Sequence, residues 1–319
     1  MDDPSVASRG RRDRLAATSV GTRHEAFGTT EWGLLAGIAL VWGASFLFID
    51  IGLDAFAPAV VAFVRLALGA ATLAMFRRAR ASIDRADLPR VALLGLVWMG
   101  APLLLFPLAQ QHVDSSVAGM INGASPLFTA VVAAALLRRL PGRWQLVGLV
   151  VGFLGVVAIG LPNVREADAA PQGVALVLAA VTLYGFAFNL AVPLQQRYGS
   201  MPVLLRAQVV AAVIVAPFVP PSLGTSTWSW TSALAMLVLG VVGTGLAFPA
   251  MATLVGRVGG PRGSIPIYLV PVVAIVLGVV VRGDQVATLA LVGTGLVLVG
   301  AWMTSRGEGT TTQPKRPVM

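Results

Sequence analysis

The sequence predicts an all-α integral membrane protein of ten transmembrane helices arranged as two inverted five-helix repeats, and three observations predict it. The first is composition: 56% of the 319 residues are hydrophobic and 12% are charged, with a mean hydropathy of +0.82, far from the quarter-charged norm of soluble domains. The second is a set of ten apolar runs, at 32–50, 58–76, 89–110, 116–137, 144–161, 172–192, 203–221, 229–254, 264–281 and 286–303. Each is close to the ~20 residues needed to cross a ~30 Å hydrocarbon core. They are continuous, as from Val147 to Leu161, whereas a membrane β-barrel shows ~10-residue segments of alternating polarity. The third is self-similarity: a shift of 145 residues lays Gly100 on Gly245, Pro126 on Pro271, Gly148 on Gly293 and Gly155 on Gly300. A unit with an odd number of crossings inserts upside down the second time, and inverted repeats around a midplane site are a common build for secondary transporters. The expected organisation is a disordered cytoplasmic tail at 1–30, a first repeat at 31–162, a second at 172–304 and a cytoplasmic tail at 305–319.

Each span carries a reason for its assignment. Span one opens at the interfacial Trp32 and holds Trp42 and Ser45 inside, Trp42 about ten residues or ~15 Å deep by helical rise. Span two opens at Pro58 and buries Arg65 ~10 Å inside the outer boundary, where insertion scales charge an arginine ~2.5–3.5 kcal/mol. Span three holds Trp98 near mid-depth. Span four places Asn122 and Ser125 on one face beside Pro126, and its Gly119-x-x-x-Gly123 is a small-residue interface motif. Span five follows the boundary Trp144 and contains Gly148-x-x-x-Gly152 and Gly155, which suit internal packing or a homodimer contact equally. Span six carries Tyr184 near its middle, and span seven has Arg206 and Gln208 near one end. Span eight follows the anchors Trp228 and Trp230, span nine has Pro271 one turn after Tyr268, and span ten runs through Gly293 and Gly300 to Trp302. Tryptophans at both boundaries form the aromatic belts expected of a membrane protein.

The net charge of +9 has a topological explanation. Nineteen of the 23 Lys and Arg fall in the tails and in loops two-three, four-five, six-seven and eight-nine. Basic residues stay on the cytoplasmic side during insertion, so both termini are expected there. The stretch Arg9 to Arg14 is diluted by Asp2, Asp3 and Asp13 and has no aromatic interleaving, which argues against a nucleic-acid partner; anionic headgroups are the expected contact. No cysteine is present, which removes disulfides, thiolate metal sites and cysteine nucleophiles. The two histidines, His24 and His112, are far apart, and there is no HExxH, no GxSxG and no intramembrane acid pair. Catalysis is therefore not expected, nor is a metal or cofactor. A receptor-like or structural role leaves no motif, but it does not account for an inverted repeat.

Trp42-Gly43-Ala44-Ser45-Phe46 in span one, Pro58 and Arg65 in span two, Ser125-Pro126-Leu127-Phe128 in span four and Gly148 and Gly155 in span five resemble an EamA domain. Pro271, Gly293 and Gly300 repeat the signature. The chain is thus similar to the ten-helix members of the drug/metabolite transporter superfamily from Trp32 to Met303. That resemblance implies transport of a small metabolite by alternating access, commonly outward, for substrates ranging from amino acids, nucleosides and sugars to vitamins and lipophilic cations. In the family the loop thirteen residues past the repeat's proline usually carries a glutamate; here those positions are Arg139 and Asp284.

Arg65 has two readings. It is either an anion hook for a substrate carboxylate or phosphate, or a structural group tied to carbonyls or to Asp50 or Asp54. Asn122, Ser125, Pro126, Tyr268 and Pro271 suggest spans four and nine as facing cavity walls broken by proline, or else as packed helices. Trp42, Trp98 and Tyr184 are candidates for an aromatic lining and equally for core packing. Gln208 completes the candidate substrate-binding set, with Ser45. No Asp or Glu lies deep in any span, which disfavours coupling through a central carboxylate.

Overall fold

The computed structural model describes residues 28–138, 143–166, 170–258 and 265–305, and these are helical with short connections. Ten apolar helical segments follow in order. α1 is Thr29–Leu53, α2 Pro58–Ala74, α3 Arg85–Ala109 and α4 Ser115–Leu136. α5 is Arg143–Glu166, α6 Ala170–Tyr198, α7 Ser200–Val215 and α8 Trp230–Leu254, whose last segment runs on as Ala247–Val258. α9 is Val270–Arg282 and α10 Thr288–Ser305. Among the described residues, six helices are long and apolar enough to cross a bilayer, and Pro58–Ala74, Leu146–Ile159, Val270–Arg282 and Thr288–Gly300 are shorter apolar helices. Helix is the form in which such runs survive in lipid, since every interior amide is satisfied within its own segment.

Local chemistry sets the ends. Pro58 sits in the first turn of α2, where a missing N–H costs nothing. The Ser229 hydroxyl accepts from the Ser232 amide to cap α8. Gly199, at φ 78°, supplies the left-handed residue that turns the chain between α6 and α7. α4 breaks after Asn122 and restarts at Ser125 with Pro126 in its new first turn. Pro271 likewise follows a 3-10 stretch, Ile265–Leu269, at the start of α9. The residues predicted as a tail at 1–30 lie outside the described part up to residue 27, as does Arg139.

The helices pair in a self-consistent pattern: α1 packs on α8 and α9, α6 on α3 and α4, α2 on α7 and α8, α3 on α7, α4 on α9 and α5 on α10. Advancing each helix number by five turns this set of pairs into itself. The closest seam is α5 on α10, where glycines bring backbones together. A Cβ on Gly155 would lie 2.6 Å from the Gly293 carbonyl oxygen, and one on Gly300 would strike the Gly148 carbonyl. The start of α5 thus meets the end of α10, and the 145-residue shift exchanges the two contacts. Gly152 is filled by Leu127 of α4, so the glycine stretch offered as a homodimer contact is consumed inside the chain.

Candidate functional site

Two of the long helices are not regular throughout. Gly95–Gly100 in α3 and Val241–Leu246 in α8 wind as π-helix, nearly equivalent positions at the 145-residue shift. Such bulges displace the i→i−4 ladder and free carbonyls, and they concentrate at functional sites. In α8 two carbonyls of the bulge accept from side chains of other helices. The Gly243 carbonyl accepts from Trp42 Nε1 of α1 at 3.1 Å. The Thr244 carbonyl accepts from Gln208 Nε2 of α7 at 3.2 Å. The Thr244 hydroxyl donates to the Leu239 carbonyl at 3.0 Å and accepts from Arg65 Nε of α2 at 2.8 Å.

This bulge holds Arg65 at the wall of a cavity in the middle of the bundle, which Trp42, Ser45, Asn122, Tyr184 and Phe248 also line. Arg65 is 4% exposed. The pairing with Asp50 or Asp54 considered from sequence does not occur: Arg282 of α9 holds Asp50 at 2.5 Å through Nε and Asp54 at 2.7 Å through Nη2. Among the described residues Arg65 has no ion-pair partner, so its charge is directed at the cavity. The guanidinium's one bond within the wall, at Nε, leaves its outer edge with the planar geometry that suits a carboxylate.

Rings surround the charge. Trp42 stacks obliquely on Phe248 with centroids 4.9 Å apart, and Tyr184 lies 5.9 Å from both Phe106 and Phe188. The Ser125 hydroxyl donates to the Asn122 carbonyl at 2.7 Å and to its Oδ1 at 3.3 Å. Ser125 thereby orients Asn122, and it does not face the cavity itself. The open space amounts to about 30 Å³, room for a water or two. An organic substrate requires the wall to move.

Five predicted residues therefore meet here: Trp42, Ser45, Arg65, Asn122 and Tyr184. Trp98, Ser125 and Gln208 are placed differently. Trp98 is fully buried and stands behind the wall, edge-on to Phe188 and Phe248, because its azimuth on α3 faces α6 and α8. Gln208 acts on the Thr244 carbonyl and not on the cavity. The expectation that spans four and nine face each other across a cavity is corrected: Gly119 of α4 packs on Ala274 and Gly123 on Pro271, so Pro271 and the first half of α4 belong to a closed helix seam. The Tyr268 side chain lies outside the described residues. Thr244, Phe248 and the bulge were missed; the cue was a lone threonine among Gly240, Gly243 and Gly245 in an apolar run. We expect Thr244→Val to leave Arg65 Nε without its acceptor and to lower thermal stability by the equivalent of about 1–3 kcal/mol, read as the melting midpoint of the purified protein.

Ion pairs close the bundle at both ends. At the end carrying the termini, Glu31 of α1, almost fully buried, binds Arg257 of α8 at 2.8 Å. Arg197 of α6 holds Asp87 at 2.9 Å and Asp84 at 2.5 Å. Arg206 donates to the Pro202 carbonyl at 3.1 Å, as a boundary arginine does. At the opposite end stand the Arg282 cluster and Asp284, whose Oδ2 accepts from the Ser115 hydroxyl and the Ser116 amide at the start of α4. The exposed pairs contribute little to stability.

The chain is similar to known membrane proteins over most of its length. It is 28% identical over 284 residues to a probable terminal-alkyne amino-acid exporter of Streptantibioticus cattleyicolor, covering 86% of this chain and 93% of that protein. It is 26% identical over 282 residues to a probable amino-acid metabolite efflux pump of Salmonella typhimurium, covering 83% and 91%. A solved crystal structure of 17% identity shares the fold at a TM-score of 0.64 over 87% of this chain and 96% of that one. The EamA-like transporter family model matches residues 31–161 and again 171–306. With its apolar helices, its closed cavity and two family matches that together span nearly all of the described residues, this multi-pass membrane protein belongs to the EamA-like transporter family.

Proposed function

We propose that this protein exports a small carboxylate-bearing metabolite, an α-amino acid or a close relative, across the cytoplasmic membrane by alternating access. The observation that carries the reading is Arg65, buried at the cavity wall, positioned by Thr244, and left without an acid by Arg282. Family membership supports transport over catalysis. The names of the two relatives above support amino-acid compounds and the outward direction.

In this reading all ten helices cross, and 31–162 and 172–304 are inverted halves. The helix pairing that maps onto itself, and the reciprocal glycine contacts of α5 and α10, support that arrangement. The distribution of arginines supports both termini in the cytoplasm. The Asp50–Arg282–Asp54 cluster then marks the outer mouth, and Glu31–Arg257 with Asp84–Arg197–Asp87 the inner one. A cavity of about 30 Å³ admits substrate when one set of pairs opens. The rings of Trp42, Tyr184 and Phe248 favour a second reading, a flat aromatic or lipophilic-cation substrate. The guanidinium among those rings works against a cation.

The test is uptake into proteoliposomes from a labelled panel of amino acids, nucleosides and lipophilic cations, with and without an imposed pH gradient. Saturable uptake of an amino acid is expected. Uptake confined to lipophilic cations overturns the carboxylate reading.

A further inference from the structure

Directly beyond the occluded cavity lies a second, polar pocket of about 300 Å³, lined by Asp50, Gln110, Gln111, His112, Asp114 and Asp284. That volume is at the lower end of the range small-molecule sites occupy. The two spaces share helices in register. On α1, Ile49 lines the inner cavity and Asp50 the outer pocket; on α3, Phe106 lines the inner cavity and Gln110, one turn on, the outer pocket. One helical turn is ~5.4 Å, so a molecule leaving Arg65 outward meets this pocket next.

The pocket is acidic beyond what its arginine neutralises. Arg282 takes up Asp50 and Asp54, while among the described residues Asp284 accepts from neutral donors, Ser115 and Ser116. Asp114 has no ion-pair partner among the described residues. Gln110 is 8% exposed, and both its Nε2 and its Oε1 lack a partner. A buried amide with neither end satisfied carries a desolvation cost, which a bound ligand removes. Among the described residues no three His, Asp or Glu are placed to hold a metal ion, so the excess negative charge suits a larger cation.

We propose that this outer pocket binds an organic ammonium group, set between the Asp114 and Asp284 carboxylates with Gln110 Oε1 as a neutral acceptor. The inference deepens the transport reading: the carboxylate of an amino acid leaves Arg65 as its ammonium end is received one turn further out. Asp114 is held above the ordinary carboxylate value, first by the partial loss of water around it and then by Asp284 and Asp50. A raised value means that the acid takes up a proton at milder pH. Ammonium binding is therefore full above that value and weakens as pH falls through it, with Asp50, Asp54, Asp284, Arg282 and His112 as the other charged or titratable groups facing the space.

The test uses reactivity and needs no transport. The chain has no cysteine, so Gln111→Cys in the full chain supplies a single thiol at the pocket. In nanodiscs its modification by a cationic and an anionic methanethiosulfonate reagent is compared with that of a free thiol, with methylammonium as competitor against sodium at equal ionic strength. The cationic reagent is expected to gain about tenfold over the anionic one, and methylammonium but not sodium to protect. Asp114→Asn should abolish both effects. Gln110→Leu should leave the charge preference and remove the protection, which separates a built site from a mere field. Equal protection by sodium, or protection that survives Gln110→Leu, overturns the proposal. Failure of Arg65 to govern uptake would overturn the carboxylate reading and leave this result standing.

Discussion

Arg65→Gln is expected to lower the apparent uptake efficiency for a carboxylate substrate by about 10- to 150-fold, the loss of a charge-assisted hydrogen bond of roughly 1.5–3 kcal/mol. Coulomb interactions are strong in a site closed to all but a water or two, and glutamine preserves polarity and approximate reach while removing the charge. Folding should not suffer. A buried arginine without an acid costs desolvation that no ion pair returns, so the variant is expected to melt at or above the wild-type temperature. Arg65→Lys is expected to restore little, because an ammonium offers a point charge in place of a planar fork and cannot keep the Nε bond to Thr244 while facing the substrate. Proteoliposome uptake beside a melting curve decides it. A folded Arg65→Gln protein with unchanged amino-acid uptake would remove the anion hook.

Gly155→Ala is the second large effect, and it acts on the fold. The added methyl would lie 2.6 Å from the Gly293 carbonyl oxygen and 2.7 Å from the Val297 amide nitrogen. Both are backbone atoms, which no rotamer change moves aside. The helices must separate, and the seam between α5 and α10 loses contact along its length. Overpacking of this kind costs about 1–3 kcal/mol or more. Gly293→Ala meets the Gly155 carbonyl at the same 2.6 Å and should behave alike. Gly295 on the same helix has nothing within 4 Å, so Gly295→Ala is the control and should be neutral or slightly stabilising. Size-exclusion profiles and melting midpoints of the variants distinguish these outcomes; a Gly155→Ala protein as stable as the control would refute the backbone-contact account.

Arg65 was legible because a charge inside an apolar run stands out against its neighbours and demands compensation. What compensates it was not. Asp50 and Asp54 are its nearest acids in sequence, yet Arg282 claims both, Asp54 across 228 positions. Trp42 and Trp98 looked alike, each about ten residues inside a helix, and only the azimuth of α1 and α3 puts one indole at the cavity and the other behind Phe248. The stretch around Asn122, Ser125 and Pro126 had a cavity reading and, through Gly119 and Gly123, a packing reading of equal merit. The bulk of Ala274 and Pro271 against those two glycines decided for packing.

The sequence by itself determined the solvent this chain lives in, the 145-residue self-similarity and the one costly charge, because hydropathy, spacing and burial cost are properties of short segments. The tertiary structure decided which faces meet. It alone revealed the π-helical turn in α8 that gathers Trp42, Arg65 and Gln208, and the two-ended closure by Arg257 and Arg282. Those depend on helix rotation and on partners far apart in sequence, such as Arg65 and Thr244 at 179 positions and Asp54 and Arg282 at 228, and no local pattern encodes the angle at which one helix presents itself to another.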